Sequence, residues 1–143
     1  MRTQEEIVNK IKADDGMFSF IPEVLIGFLT HENALPFLDD EWKDKAAEWI
    51  AKPQDRDAII NEMMEYVEFA WEKCLDHRGL SAGRSVSKMR GWLWLLGDDE
   101  ALAFAEDDNN YSNYGAPILR HISVKYSFPI PDDEDTRRMA EGQ

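Results

Sequence analysis

Positive charge is scarce in this 143-residue chain, cysteine nearly absent, and long apolar runs missing; each shortage removes a class of function. Sixteen Lys or Arg stand against 29 Asp or Glu, a formal net charge of −13, which repels nucleic acid and anionic membranes and favours basic protein surfaces. Direct nucleic-acid binding and membrane association are therefore not expected. The single cysteine, Cys74, precludes an intrachain disulfide framework and agrees with a reducing, cytoplasmic setting. No uninterrupted apolar run exceeds the five residues Trp92 to Leu96, whereas a membrane-spanning helix needs roughly 20. His31, His77 and His121 are too far apart in sequence to make a pair at metal-ligand spacing, and neither a Walker-type glycine and lysine pattern nor a dinucleotide fingerprint occurs. No metal or cofactor is expected. An enzyme would need acids and bases brought together by folding from separated positions, so the reading leans against catalysis.

The charge that is present is unevenly spread. Positions 1–77 carry 18 acids against 8 Lys or Arg, and positions 97–143 carry 11 against 4. Between them, residues 78–96 hold four cations, Arg78, Arg84, Lys88 and Arg90, and no acid. The chain thus reads −10, +4 and −7 in three consecutive blocks.

Apolar spacing is helical almost throughout, and no alternating run is long enough to argue a strand. Thr3 followed by Glu6 forms a capping box opening a helix to about Lys12. Pro22 suits the first turn of an apolar helix to Leu29, and Thr30 caps a short turn through Pro36. Asp39 or Asp40 opens a helix to about Ile50 that buries Trp42, Ala46 and Trp49, and Pro53 breaks it. Asp55 caps the longest helix, to about His77. Its Ile59, Ile60, Met63, Tyr66, Val67, Ala70, Trp71 and Cys74 share one face at 100° per residue, and Glu62, Glu65, Glu68, Glu72 and Asp76 the other. Ser81 or Ser85 caps the next helix, to Leu96, whose C-terminal half is apolar nearly all round and belongs in the centre of a bundle. Gly97 with Asp98 stops it. Asp98 then caps a short helix to Ala105, an ordered loop buries Tyr111 and Tyr114, and a last helix runs from about Ala116 to Tyr126. The predicted architecture is all-α: one domain over 1–131, an irregular bundle of seven or eight mostly short helices around the 82–96 helix. Residues 132–143 lack apolar periodicity and are expected to form an extended or frayed acidic tail.

The run CLDHRGLSAGRSVSKMRGWLWLLGDDE, with the later NYGAPIL and KYSFPIPDDEDTRRMAEG, resembles a recurrent pattern in small acidic proteins of bacteria and their phages. The likeness covers roughly residues 70–141. It implies a microbial, phage-linked, cytoplasmic protein, and no biochemical activity comes with it.

Two surfaces are candidates for function. Carboxylates three or four positions apart on a helix lie about 4.5 to 6 Å apart along the axis, a line of charge that imitates a nucleic-acid backbone to a protein expecting phosphates. Glu62, Glu65, Glu68, Glu72 and Asp76 make such a line, with Phe69 set within it as a hot-spot anchor. Further acidic clusters occur at 98–100, 106–108 and 132–135. The plainer reading is a solvated helix face. From this surface we expect a non-enzymatic interaction protein that inhibits or regulates a nucleic-acid-binding partner through its basic surface. The alternative is the start of the 82–96 helix, where Arg78, Gly79, Ser81, Arg84, Ser85 and Lys88 have the parts of an anion cradle for a nucleotide or phosphorylated metabolite. There the plainer reading is a capped helix whose cations pair with the chain's own acids. Cys74, on an apolar face with His77 about 60° round the helix, reads as structural. The five tryptophans read as core first, with Trp92 or Trp94 as stacking candidates.

Overall fold

The computed structural model describes residues 1–13, 22–45, 48, 51–53, 55–76 and 82–141. The local signals that open and close helices account for most of the element boundaries. Thr3 Oγ1 accepts from the Glu6 N–H at 3.1 Å and Glu6 reaches back to the Thr3 N–H at 3.3 Å, a reciprocal box that starts α1 (Gln4–Ala13). α2 (Pro22–Ile26) leads to α3 (His31–Ala34), capped by Thr30 on the Asn33 N–H, and a 3-10 turn (Leu35–Phe37) follows. Asp39 caps α4 (Asp40–Lys45) through the Trp42 N–H, and Asp55 caps α5 (Arg56–Asp76) through the Ala58 N–H at 2.8 Å.

Helix α6 (Ala82–Leu96) ends in a paired motif of backbone bonds. Gly97 takes a φ of 75°, its N–H bonds the Trp94 carbonyl, and the Asp98 N–H bonds that of Leu93. Asp98 at once caps α7 (Asp99–Glu106), and a 3-10 turn (Asp108–Asn110) carries the chain into α8 (Ser112–Tyr126). No strand occurs among the described residues. The all-α architecture is as the sequence predicts.

α6 sits at the centre. It packs against α2, α5, α7 and α8, and Val86, Met89, Trp92, Leu93 and Leu95 are all buried along it. Gly91 lets α2 approach closely, since a Cβ there would lie 3.1 Å from Val24 Cγ1. The inner face of α5, with Ile59, Met63, Val67, Ala70 and Trp71, closes over α6 and α8. The Trp71 indole N–H donates to the buried Ser123 hydroxyl at 3.3 Å. This packing turns the other face of α5 to solvent.

Two expectations are corrected. The acidic tail is not frayed over its described part. Asp133 caps α9 (Glu134–Ala140), accepting from both the N–H and the hydroxyl of Thr136, and α9 packs on α8 with Thr136 fully buried. Acids in its first turn and arginines in its last suit the helix dipole, which offsets the missing apolar stripe. Trp42 is 50% exposed rather than buried, on a helix whose described residues, Asp40–Lys45, are all exposed. The Lys45 ammonium covers its ring at 5.6 Å instead. Ala46 and Trp49 lie outside the described residues, as does Tyr114 in its side chain.

Candidate functional site

The α5 face opposite the core carries most of the acidic candidates. Glu65, Glu68 and Glu72 are exposed, and Phe69 among them is 44% exposed. The Asp76 side chain is outside the described part. Glu62 departs from the pattern: it is half-buried and accepts a 2.8 Å bond from Lys52, whose ammonium also lies 5.4 Å from the Phe28 ring. Glu62 therefore ties the segment before α5 onto the helix, and the water-facing charges are Glu65, Glu68 and Glu72.

Beside this face runs an open groove of about 300 Å³ between α5 and α6, lined by Glu62, Glu65, Tyr66, Phe69, Lys88 and Trp92. Tyr66 stands between the other two rings, 5.9 Å from Phe69 and 5.4 Å from Trp92, tilted in both pairs. The Lys88 ammonium lies 4.6 Å from the centre of the Tyr66 ring. Trp92 is only 3% exposed, and its indole N–H is buried without a hydrogen-bond acceptor among the described residues. An unsatisfied buried donor costs about 1–3 kcal/mol. The sequence places Tyr66 on the apolar face of α5 and reads Trp92 as core first with stacking as its alternative; Trp92 lies in the core with Tyr66 packed against it, and the groove they border goes beyond that reading. The signal was available: Glu62, Glu65, Tyr66 and Phe69 stand at i, i+3, i+4 and i+7, and Lys88 with Trp92 at i, i+4 on the neighbouring helix.

No family model, curated protein or solved structure matches the chain.

Of the anion-cradle candidates, Arg78, Gly79 and Ser81 lie outside the described residues, and so do the side chains of Arg84 and Ser85. The two cations of the basic island that are described both turn inward. Lys88 is in the groove over Tyr66, and Arg90 donates twice to the Ala105 carbonyl, at 2.8 and 2.6 Å, closing the C-terminal end of α7. Arginine at a helix C-terminus satisfies a carbonyl that has no helical partner and meets the negative end of the dipole. The cavity beside Arg90 measures about 10 Å³, room for about one water and no metabolite.

A polar cluster unites α7 and α8. The capping carboxylate of Asp98 accepts from the Lys125 ammonium at 2.7 Å and from the Tyr126 hydroxyl, and His121 Nε2 lies 2.9 Å from Glu100 while its ring stacks on Phe104 at 4.0 Å. The His121 bond first, then the nearby cations, hold the Glu100 carboxyl below its ordinary range. These groups bond or stack on one another across α7 and α8, so the arrangement serves as a clamp. Among the described residues no group of three or more His, Cys, Asp or Glu is placed to hold a metal ion, and no helix is long and apolar enough to cross a membrane.

Proposed function

We propose that this chain is a non-enzymatic interaction protein whose acidic surface, centred on the outer face of α5, covers the basic nucleic-acid-binding surface of a microbial partner and so inhibits or regulates it. The observation that carries the reading is Phe69, 44% exposed and standing among Glu65, Glu68 and Glu72. Interfaces draw their energy from a few desolvated aromatic anchors, while surrounding charge sets partner choice and encounter rate. Carboxylates on successive turns are spaced like the anions a nucleic-acid-binding protein is built to meet. Of the residues of the phosphate-cradle alternative only Lys88 is described in its side chain, and its ammonium lies over the Tyr66 ring.

The test is displacement. A purified basic DNA-binding protein is held on a fluorescent duplex, and this chain is titrated in at rising salt. The duplex should be released, with half-release needing more of the chain as salt screens the charges. Glu65→Lys with Glu72→Lys should abolish release; release by that variant as efficient as by the wild type would overturn the proposal.

A further inference from the structure

Building on that reading, we infer that the groove between α5 and α6 is the anchor point for one arginine side chain of the basic partner, and that Lys88 occupies this position in the partner's absence.

Three features of the groove carry the inference. Its walls combine the exposed carboxylate of Glu65 with the rings of Tyr66 and Phe69, the two kinds of group that attract a cation into a partly desolvated place; Glu62, also in the wall, is already paired with Lys52. A cation is already there: the Lys88 ammonium lies 4.6 Å from the Tyr66 ring centre, within cation–π range. The third feature is independent of charge. Trp92 lines the groove, yet its indole N–H is buried with no acceptor among the described residues. An arginine within a peptide chain brings a guanidinium for the rings together with a main-chain carbonyl, an acceptor that the Trp92 N–H lacks among the described residues.

The chemistry selects arginine over lysine. Guanidinium is planar, stacks on aromatic faces and is weakly hydrated, whereas an ammonium must shed a tightly held shell. Exchange of Lys88 for an incoming arginine therefore returns the more strongly hydrated cation to water and keeps the less hydrated one against the rings. At about 300 Å³ the groove is at the lower end of ligand-sized pockets, suited to one long side chain rather than a folded segment.

Two fluorescein-labelled peptides of equal length and charge, one alternating glycine with arginine and the other glycine with lysine, separate this inference from the reading on which it rests. Anisotropy titrations at low salt should show the arginine peptide bound about 2- to 5-fold more tightly, the range expected of a partly exposed cation–π contact. Phe69→Ala and Tyr66→Leu, which keeps an apolar side chain, should each erase the preference, so that within either variant the arginine and lysine peptides bind equally. Lys88→Met should strengthen arginine-peptide binding more than lysine-peptide binding. Equal affinities for the two peptides, or a preference that survives Phe69→Ala and Tyr66→Leu, would overturn the groove and leave the acidic surface standing. Failure of both peptides to bind at low salt would overturn both.

Discussion

The Tyr126 hydroxyl donates to the carboxylate of Asp98, the residue that caps α7, so the end of one helix holds the beginning of another. Lys125 adds a 2.7 Å bond to the same carboxylate, and the Ala101 N–H a 3.1 Å bond. Asp98→Ala removes a cap worth about 1 kcal/mol and a charge-assisted bond worth about 1.5–3, and should destabilise the fold by about 2–4 kcal/mol in urea unfolding. Asp98→Asn keeps the cap and should lose about half as much; Tyr126→Phe should lose about 1 kcal/mol.

The same pair makes stability depend on pH at both extremes. Burial opposes ionisation of Asp98, but the bonds from Lys125, Tyr126 and Ala101 outweigh it and hold the carboxyl below its ordinary 3.8. A carboxylate with a depressed folded pKa stabilises the fold above the ordinary value, and that contribution disappears as pH falls through the folded one. Tyr126 is pushed up from 10.0, first by burial and then by the Asp98 carboxylate, so its contribution is complete below pH 10 and is lost as alkali ionises it. Urea midpoints across pH should therefore fall less steeply below about pH 4 in Asp98→Asn, and less steeply above about pH 10 in Tyr126→Phe, than in the wild type.

Arg90 belongs to the fold rather than to a ligand site. Its two bonds to the Ala105 carbonyl close α7, so Arg90→Met should cost about 1.5–3 kcal/mol of stability, the range for a bond from a charged donor, read from chemical unfolding. The affinity for arginine and lysine peptides should stay within about 2-fold at a temperature where the variant is folded.

Two backbone positions have opposite expected outcomes. Ser127 ends α8 at a φ of 60°, a left-handed conformation that a side chain disfavours, and Ser127→Gly should raise stability by up to about 1 kcal/mol. Gly115 has a φ of 80°, and a Cβ there would stand 3.0 Å from Val86 Cγ2, so Gly115→Ala should destabilise by more than about 1 kcal/mol. Thermal melts of the two variants check both signs.

What was legible in the sequence was local. Thr3 with Glu6, Thr30, Asp55 and Asp98 announce helix starts because a cap and the N–H it bonds are three residues apart. The period of α5 put Phe69 on the acidic face because helix geometry fixes that angle. Asp133 with Thr136 is the same kind of signal, and in the fold it outweighs the tail's lack of apolar periodicity. The bonds of Arg90 to Ala105 and of Asp98 to Tyr126 span 15 and 28 residues, and only the packed fold brings those groups together. The groove lies between these extremes: each wall follows a helical spacing, but that the two walls face one another depends on how α5 crosses α6.

The most direct measurement compares two double charge reversals that change the net charge equally. One is Glu65→Lys with Glu72→Lys on α5; the other is Glu106→Lys with Glu141→Lys, both exposed and at helix C-terminal ends where a cation is tolerated. In the duplex-release titration the α5 pair should lose at least about 10-fold in potency and the control pair no more than about 3-fold, the residue of long-range attraction. Equal losses in the two variants would mean that net charge, and not the α5 face, carries binding, and would contradict the account.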